Sequence, residues 1–272
     1  MIPVGFEYER PDTLDGALAL LAEHGDDAKV LAGGHSLLPV MKLRLAAPEL
    51  LIDIGRLDEL RYSRVDGDQL AIGAGTRHHD LATSDVVEAE APLLGAVART
   101  VGDPQVRHRG TLGGSLAHAD PASDLPAAVL AFGGTIVARG PRGERRLPVA
   151  EFFTGLFTTA IEPDELVVEI RVPRTGSAGW AYEKFTRRAN DWAIVAVAVV
   201  DGRVGLVNMG STALRASATE AALASGASIA DAAAVADQDT DPPNDLAATP
   251  AYRRHLARVL TRRALTTAAE SS

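Results

Sequence analysis

The sequence contains no cysteine. That excludes disulfides, a thiol nucleophile and an iron–sulfur cluster ligated by this chain in the ordinary way, so any redox carrier held here must be organic. A basic excess is also missing: the formal net charge is −9 and no basic patch dominates, which argues against nucleic acid or an anionic membrane surface as a partner. No segment approaches the roughly eighteen apolar residues of a membrane span, and the N-terminus MIPVGFEYERP has no basic region followed by a long apolar run. The chain therefore reads as cytoplasmic. The G-x-G-x-x-G dinucleotide fingerprint, the Walker loop and the H-E-x-x-H zinc motif are all absent. The spacings of His78, His79, His108 and His118 fit no common metal-ligand set.

What is present begins with size. A chain of 272 residues, 46% apolar and 23% charged, has the proportions of an ordinary soluble protein with one large or two modest domains. Two glycine pairs stand out. In the stretch 31–45, LAGGHSLLPVMKLRL, Gly33 and Gly34 follow an apolar run and lead into the hydroxyl of Ser36. Residues without a Cβ let backbone N–H groups approach a bulky anion and reach positive φ, so consecutive amides can converge into a nest for phosphate oxygens. About eighty positions later, Thr111-Leu112-Gly113-Gly114-Ser115 sets a second pair between hydroxyls. One pair alone is as readily a turn or a close backbone crossing. Two together predict a grip on one extended diphosphate.

In chain order, Thr13 is placed to cap a helix with Leu14, Ala17, Leu18 and Leu21 on one face, and Gly25 to stop it. Strands are predicted over 29–32, 50–54 and 70–75, a short helix capped by Thr76, and a helix from Pro92 with Leu93, Leu94, Val97, Ala98 and Val101 on its apolar side. The next stretch is dense in polar residues. Arg107 and Arg109 alternate with apolar neighbours, as on a solvated strand face or at an anion contact. Asp124 is either the N-cap of a helix over 125–132 or a carboxylate accepting from a ribose or an adenine amine. Strands follow over 135–139, 146–149 and 166–172, and 173–177 is the best linker. Beyond it, strands over 180–185, 193–200 and 204–209 form an antiparallel meander with Asp201 and Gly202 as a two-residue hairpin turn. An alanine-rich helical stretch over 216–237, with Ser228 as a cap, precedes the acidic loop 239–245 and a final helix from Tyr252 to about Leu265.

Taken together, 32–37, Gln105-Val106-Arg107, 111–115, 119–126 and Tyr182-Glu183-Lys184 resemble the FAD-binding medium subunit of the molybdenum hydroxylases. The nearest branch is the aerobic carbon monoxide dehydrogenase type within the xanthine dehydrogenase family, and the resemblance spans essentially the whole chain. It implies an α+β fold: an FAD-binding domain of the p-cresol methylhydroxylase and vanillyl alcohol oxidase type over 1–175, with subdomains of about 1–57 and 58–175, then a smaller α+β domain over 178–272 with a three-stranded antiparallel sheet and helices. Carried over by motif, Ala32, Gly33, Gly34, His35, Ser36 and Leu37 with Thr111, Leu112, Gly113, Gly114 and Ser115 would wrap the diphosphate and ribityl region. Asp124 would bind a polar group of the cofactor, Val167 would pack by the flavin ring, and Lys184 would lie near the isoalloxazine. Many relatives have Asn in place of Ser115 and of His108, and no residue is set up for covalent flavin attachment, so the FAD is expected to be noncovalent.

The resemblance further implies that substrate oxidation belongs to a large subunit with a molybdenum–pterin cofactor. Electrons would pass through two 2Fe–2S clusters of a small subunit to FAD and on to an external acceptor, in a dimer of heterotrimers. A self-contained flavin oxidase and a non-redox nucleotide-binding module are the alternatives.

Overall fold

The computed structural model describes residues 2–271. Its first sheet is small and parallel: β1 (Glu7–Glu9) and β2 (Ala28–Leu31) flank β3 (Leu50–Asp53). Between β1 and β2 runs α1 (Leu14–His24), whose Thr13 side chain accepts from the Gly16 N–H and which buries Leu14, Ala17, Leu18 and Leu21, as the 3.6-residue spacing predicts. Between β2 and β3, the first glycine pair leads into α2 (Leu37–Lys42). The edge strand β1 was invisible to pattern reading because Glu7, Tyr8 and Glu9 are all exposed and show no apolar alternation.

The second sheet begins with the hairpin β4 (Ser63–Asp66) and β5 (Gln69–Gly73). A helical excursion follows, through α3 (His78–Thr83), α4 (Asp85–Glu90), α5 (Pro92–Arg99), α6 (Pro104–Arg107), α7 (Leu112–His118) and α8 (Asp124–Phe132). Two local expectations are corrected here. Thr76 does not cap α3, because its hydroxyl is committed to the backbone of Tyr62, accepting from the N–H and donating to the carbonyl. Residues 104–107 form a helical turn, not a strand face, because Asp103 accepts from the Val106 N–H at 2.9 Å and Pro104 suits a first turn. Every residue of α8 is buried, which makes it the central helix. Burial of side chains such as Leu125 and Phe132 contributes about 1.5–3 kcal/mol each.

The chain returns through β6 (Thr135–Gly140), β7 (Gly143–Pro148), the turn α9 (Val149–Phe152) and the hairpin β8 (Phe153–Gly155) with β9 (Thr158–Thr159). It then re-enters the sheet centre as β10 (Leu166–Pro173), giving the antiparallel order β4-β5-β10-β6-β7. The register of β10 against β6 slips between Val167 and Glu169. A bulge re-aims side chains. Here it puts Val167 on the same face as Ile170 and Val172, in the core around α8, while Leu166 and Val168 join the core beneath the first sheet.

The third sheet comprises β11 (Trp180–Phe185), β12 (Val195–Val200), β13 (Arg203–Val207) and the two-residue β14 (Leu214–Arg215), so a fourth, minimal strand adds to the expected three. Asp201 and Gly202 have φ of 49° and 71°, the two positive values that a type I′ turn requires. Along β12 the side chains divide by parity: Val195, Val197 and Val199 face the final helix, whereas Ala196, Ala198 and Val200 complete the core around α8. The approach on that side is close, since a Cβ on Gly205 would lie 2.1 Å from the Ala127 carbonyl oxygen. The stretch 216–237 contains two helices, α10 (Ser217–Ala224) and α11 (Ile229–Ala234), the second capped by Ser228 as expected. The long α12 (Pro250–Glu270) closes the outer face.

Candidate functional site

A cavity of about 790 Å3 opens where the ends of β2 and β5, the start of α7, the strand β10 and the end of β11 converge. Both glycine pairs lie on its wall. Of the residues singled out in the sequence, Ala32, Gly33, Gly34, His35, Ser36, Leu37, Thr111, Gly113, Gly114, Ser115, Asp124, Val167 and Lys184 all line it. Leu112 does not: its side chain is wholly buried in the core beneath α7 and its N–H donates to Thr76 at 2.9 Å.

The two pairs do different work. A Cβ on Gly33 would lie 2.3 Å from the Arg109 carbonyl oxygen and 2.8 Å from the Gly110 Cα, so this glycine lets the two loops touch. A Cβ on Gly113 would meet Ala74 Cβ at 2.5 Å, so that glycine seats α7 on the end of β5. These are packing reasons, independent of any ligand. The second loop is also no amide nest, because its donors are spent within the protein. Gly113 donates to Ala74 at 2.9 Å, Gly114 to the Thr111 hydroxyl at 3.1 Å and Ser115 to the Thr111 carbonyl at 3.0 Å. The first loop is the reverse case. Among the described residues no protein group accepts from the N–H of Gly33, Gly34, His35 or Ser36. Four consecutive donors left free by the protein on a cavity wall are available to an acceptor-rich ligand.

At the same cavity, Asp124 and Lys184 form a buried polar cluster with Tyr182 behind them. Asp124 heads α8 while Ser123 takes the cap position. Its carboxylate accepts from Lys184 Nζ at 2.7 Å and from the Tyr182 hydroxyl at 2.5 Å, and Lys184 Nζ also donates to the Thr100 carbonyl at 3.2 Å. Asp124 is thus neither a helix cap nor free, and Lys184 is not a surface lysine: their side chains are 6% and 10% exposed. Burial pushes the Asp124 carboxyl upward against the opposing pull of Lys184 and Tyr182. Burial and the neighbouring carboxylate also push the Tyr182 phenol up, keeping it a neutral donor. The Ser115 and Ser123 hydroxyls are hydrogen-bonded at 2.9 Å, tying α7 to the start of α8.

Sequence reading missed two members of the site. Tyr182 was readable: on a strand, residues two apart share a face, so a lysine at 184 directed at the cavity carries 182 with it. His78 carries no metal-ligand spacing in the sequence and so no signal of a site role. It is 4% exposed, lines the cavity and is held by its own N–H donating to Gly110 at 2.9 Å. Burial, reinforced by His35 and Arg107, lowers its pKa to about 4, so it is a neutral imidazole at physiological pH. No cluster of potential metal ligands exists among the described residues, and no described helix is long and apolar enough to cross a membrane.

Residues 4–175 match the family model for the FAD-binding domain in molybdopterin dehydrogenase, and residues 180–268 match that for the CO dehydrogenase flavoprotein C-terminal domain. The chain is 44% identical over 282 aligned positions to the carbon monoxide dehydrogenase medium chain of Hydrogenophaga pseudoflava, covering 98% of each. It is 38% identical to the 6-hydroxypseudooxynicotine dehydrogenase complex subunit alpha of Paenarthrobacter nicotinovorans, covering 97% of this chain and 95% of that one. In structure it superimposes on a chain of the carbon monoxide dehydrogenase from Hydrogenophaga pseudoflava that lacks the Mo-pyranopterin moiety of its cofactor, with a TM-score of 0.96, 46% identity and coverage of 100% and 99%.

Proposed function

Since the chain belongs to the FAD-binding medium subunits of the molybdenum hydroxylases, we propose that it is the electron exit of a three-part complex. It takes electrons from two 2Fe–2S clusters on a small partner subunit and delivers them through noncovalent FAD to a quinone, oxygen, a cytochrome or NAD. Substrate oxidation then belongs to a large partner subunit with a molybdenum–pterin cofactor, in a cytoplasmic dimer of heterotrimers. The relatives, a medium chain and a complex subunit, are in keeping with this. Carbon monoxide, a purine, an N-heterocycle or an aldehyde are all admissible substrates, because that choice is made on the large subunit.

The observation that carries the reading is the run of unpaired N–H groups from Gly33 to Ser36 on the wall of the large cavity. These donors fit the diphosphate of FAD, with the Ser36 hydroxyl beside them and Gly114 leaving room for the ligand's body. The residues Ala32 to Leu37, with Thr111 and Gly113 to Ser115, are assigned to the diphosphate and ribityl region, Leu112 being left out because its side chain lies in the core, and Val167 is assigned to the edge of the ring and Lys184 to a ring carbonyl. Asp124 acts through Lys184, holding the ammonium where developing negative charge on the ring would be stabilised. His78 adds no charge to that environment, because it stays neutral. FAD, when bound, would supply the chemistry the chain lacks, taking up electrons singly and releasing them singly or in pairs as the acceptor requires. The division into an FAD domain of the p-cresol methylhydroxylase type over 1–175 and a second domain over 178–272 belongs to the same proposal. It is supported by a core around α12 made wholly of residues beyond 180.

Co-purification tests the assignment. The chain, tagged and expressed in its own cell, is expected to bring down a cysteine-rich small chain and a much larger molybdenum-containing one in equal amounts. A chain that is isolated alone and oxidises an organic substrate by itself would contradict it.

A further inference from the structure

Beside the Asp124 and Lys184 pair, residues 186–193 form a loop whose Asn190, Asp191 and Trp192 line the cavity. The loop leaves β11 after Phe185 and is closed at its base by the Ile194 N–H, which donates to the Phe185 carbonyl at 2.8 Å. Its far root is held from a different strand. Asn208, the residue after β13, is 8% exposed, and its side-chain amide donates to the carbonyls of Ala193 at 2.9 Å and Ile194 at 3.3 Å. The backbone N–H of the same residue donates to the Pro121 carbonyl at 2.8 Å, in the turn that leads to Asp124. Asn208 has a φ of 62°, a left-handed conformation that non-glycine residues rarely adopt and that asparagine tolerates best. Such a conformation persists where the surroundings over-determine it. The wholly buried Arg253 of α12 adds a second hold, donating through Nη1 to the same Ile194 carbonyl and through Nη2 to Asp245 at 2.7 Å.

We infer that Asn208 is a positioning residue for the cofactor site. It touches no part of the cavity, yet it fixes two of its walls in register: the turn that presents Asp124 and the loop 186–193 that follows Lys184. The left-handed backbone turns its N–H toward one wall while its amide serves the other. As far as it concerns FAD, the inference rests on the function proposed above.

The experiment uses the full chain with two substitutions. Asn208→Gly keeps the left-handed φ and the N–H to Pro121 while deleting the amide. Asn208→Asp keeps the shape but sets an acceptor against two carbonyl oxygens. Arg187 and Arg188 are exposed within the loop, so trypsin reports its opening directly. Losing two hydrogen bonds is expected to speed cleavage there about tenfold and to weaken FAD binding by a similar factor. Cleavage at Arg262 and Arg263, exposed on α12, is expected to be unchanged. Loop cleavage at the wild-type rate in both variants would overturn the inference, and so would equal acceleration at α12, which would mark a merely structural role. Faster loop cleavage with unaltered FAD affinity would overturn the link to the cavity. If the wild-type chain bound no FAD, the functional proposal would fall while the cleavage comparison still decided whether Asn208 tethers the loop.

Discussion

Gly33→Ala is expected to strip the protein of FAD and to destabilise it, although it adds a single methyl group. The added Cβ would lie 2.3 Å from a backbone oxygen of Arg109 and 2.8 Å from the Gly110 Cα. Backbone cannot swing aside as a side-chain tip can, so the two loops must part. Overpacking of this kind costs about 1–3 kcal/mol, and the parting moves the free N–H groups of the first loop out of alignment. FAD affinity, read from flavin fluorescence, is expected to fall at least about a hundredfold, roughly 2.7 kcal/mol. Gly114→Val is the informative contrast. A Cβ there meets only the Thr111 hydroxyl at 2.7 Å before Ala32 Cβ at 3.9 Å. That variant loses a helix cap worth about 1 kcal/mol and crowds the cavity, so it is expected to keep its fold and lose occupancy. If Gly33→Ala binds FAD as the wild type does, the contact between the two loops has no part in the site.

Lys184→Met carries the second large effect. It leaves the Asp124 carboxylate buried beside Tyr182 without its cation. Breaking one partner out of a buried pair costs about 3–5 kcal/mol. The deficit should depend on pH, with a sign that follows from the direction of the Asp124 shift. Burial already raises this carboxyl, and Lys184 is the strongest influence holding it down. In the variant the folded state therefore keeps a proton on Asp124 where the unfolded chain has lost it. Such a group favours folding below the unfolded carboxylate pKa, and that contribution is lost as pH rises through the folded pKa. The gap in melting temperature between variant and wild type should thus be widest near neutrality and narrow as pH falls into the carboxylate range. A gap that is small, or constant across that range, would show that the pair contributes little to holding α8 and β11 together.

The fold was legible where one face of an element is buried and the other wet. The apolar positions of α1 carry such a signal, and the Asp201 and Gly202 hairpin carries a turn signal that packing does not override; β10, buried on both faces, was legible from its apolar, β-branched run. Local signals failed where a residue's partner is remote in sequence. Thr76 looks like a cap until Tyr62 claims its hydroxyl, and β1 looks like loop because it is exposed and is held by pairing with β3 rather than by burial. At the site, the glycine pairs marked the right place, but their identical appearance hid opposite roles. The first loop offers unpaired donors, whereas the second spends its own on Ala74 and Thr111. No one-dimensional pattern separates those cases. Asn208 and Arg253 were illegible for the same reason, since their importance lies in which carbonyls they reach across the fold.

In the proposed route, electrons leave the assembled complex through FAD held by this chain. The direct measurement is the rate of acceptor reduction by the complex after FAD has been removed and after it has been restored, with the iron–sulfur clusters reduced chemically and anaerobically in both. The depleted complex is expected to keep its clusters reduced and barely to reduce the acceptor, and one FAD per copy of this chain is expected to restore the rate. An unchanged rate in the depleted complex would contradict that route.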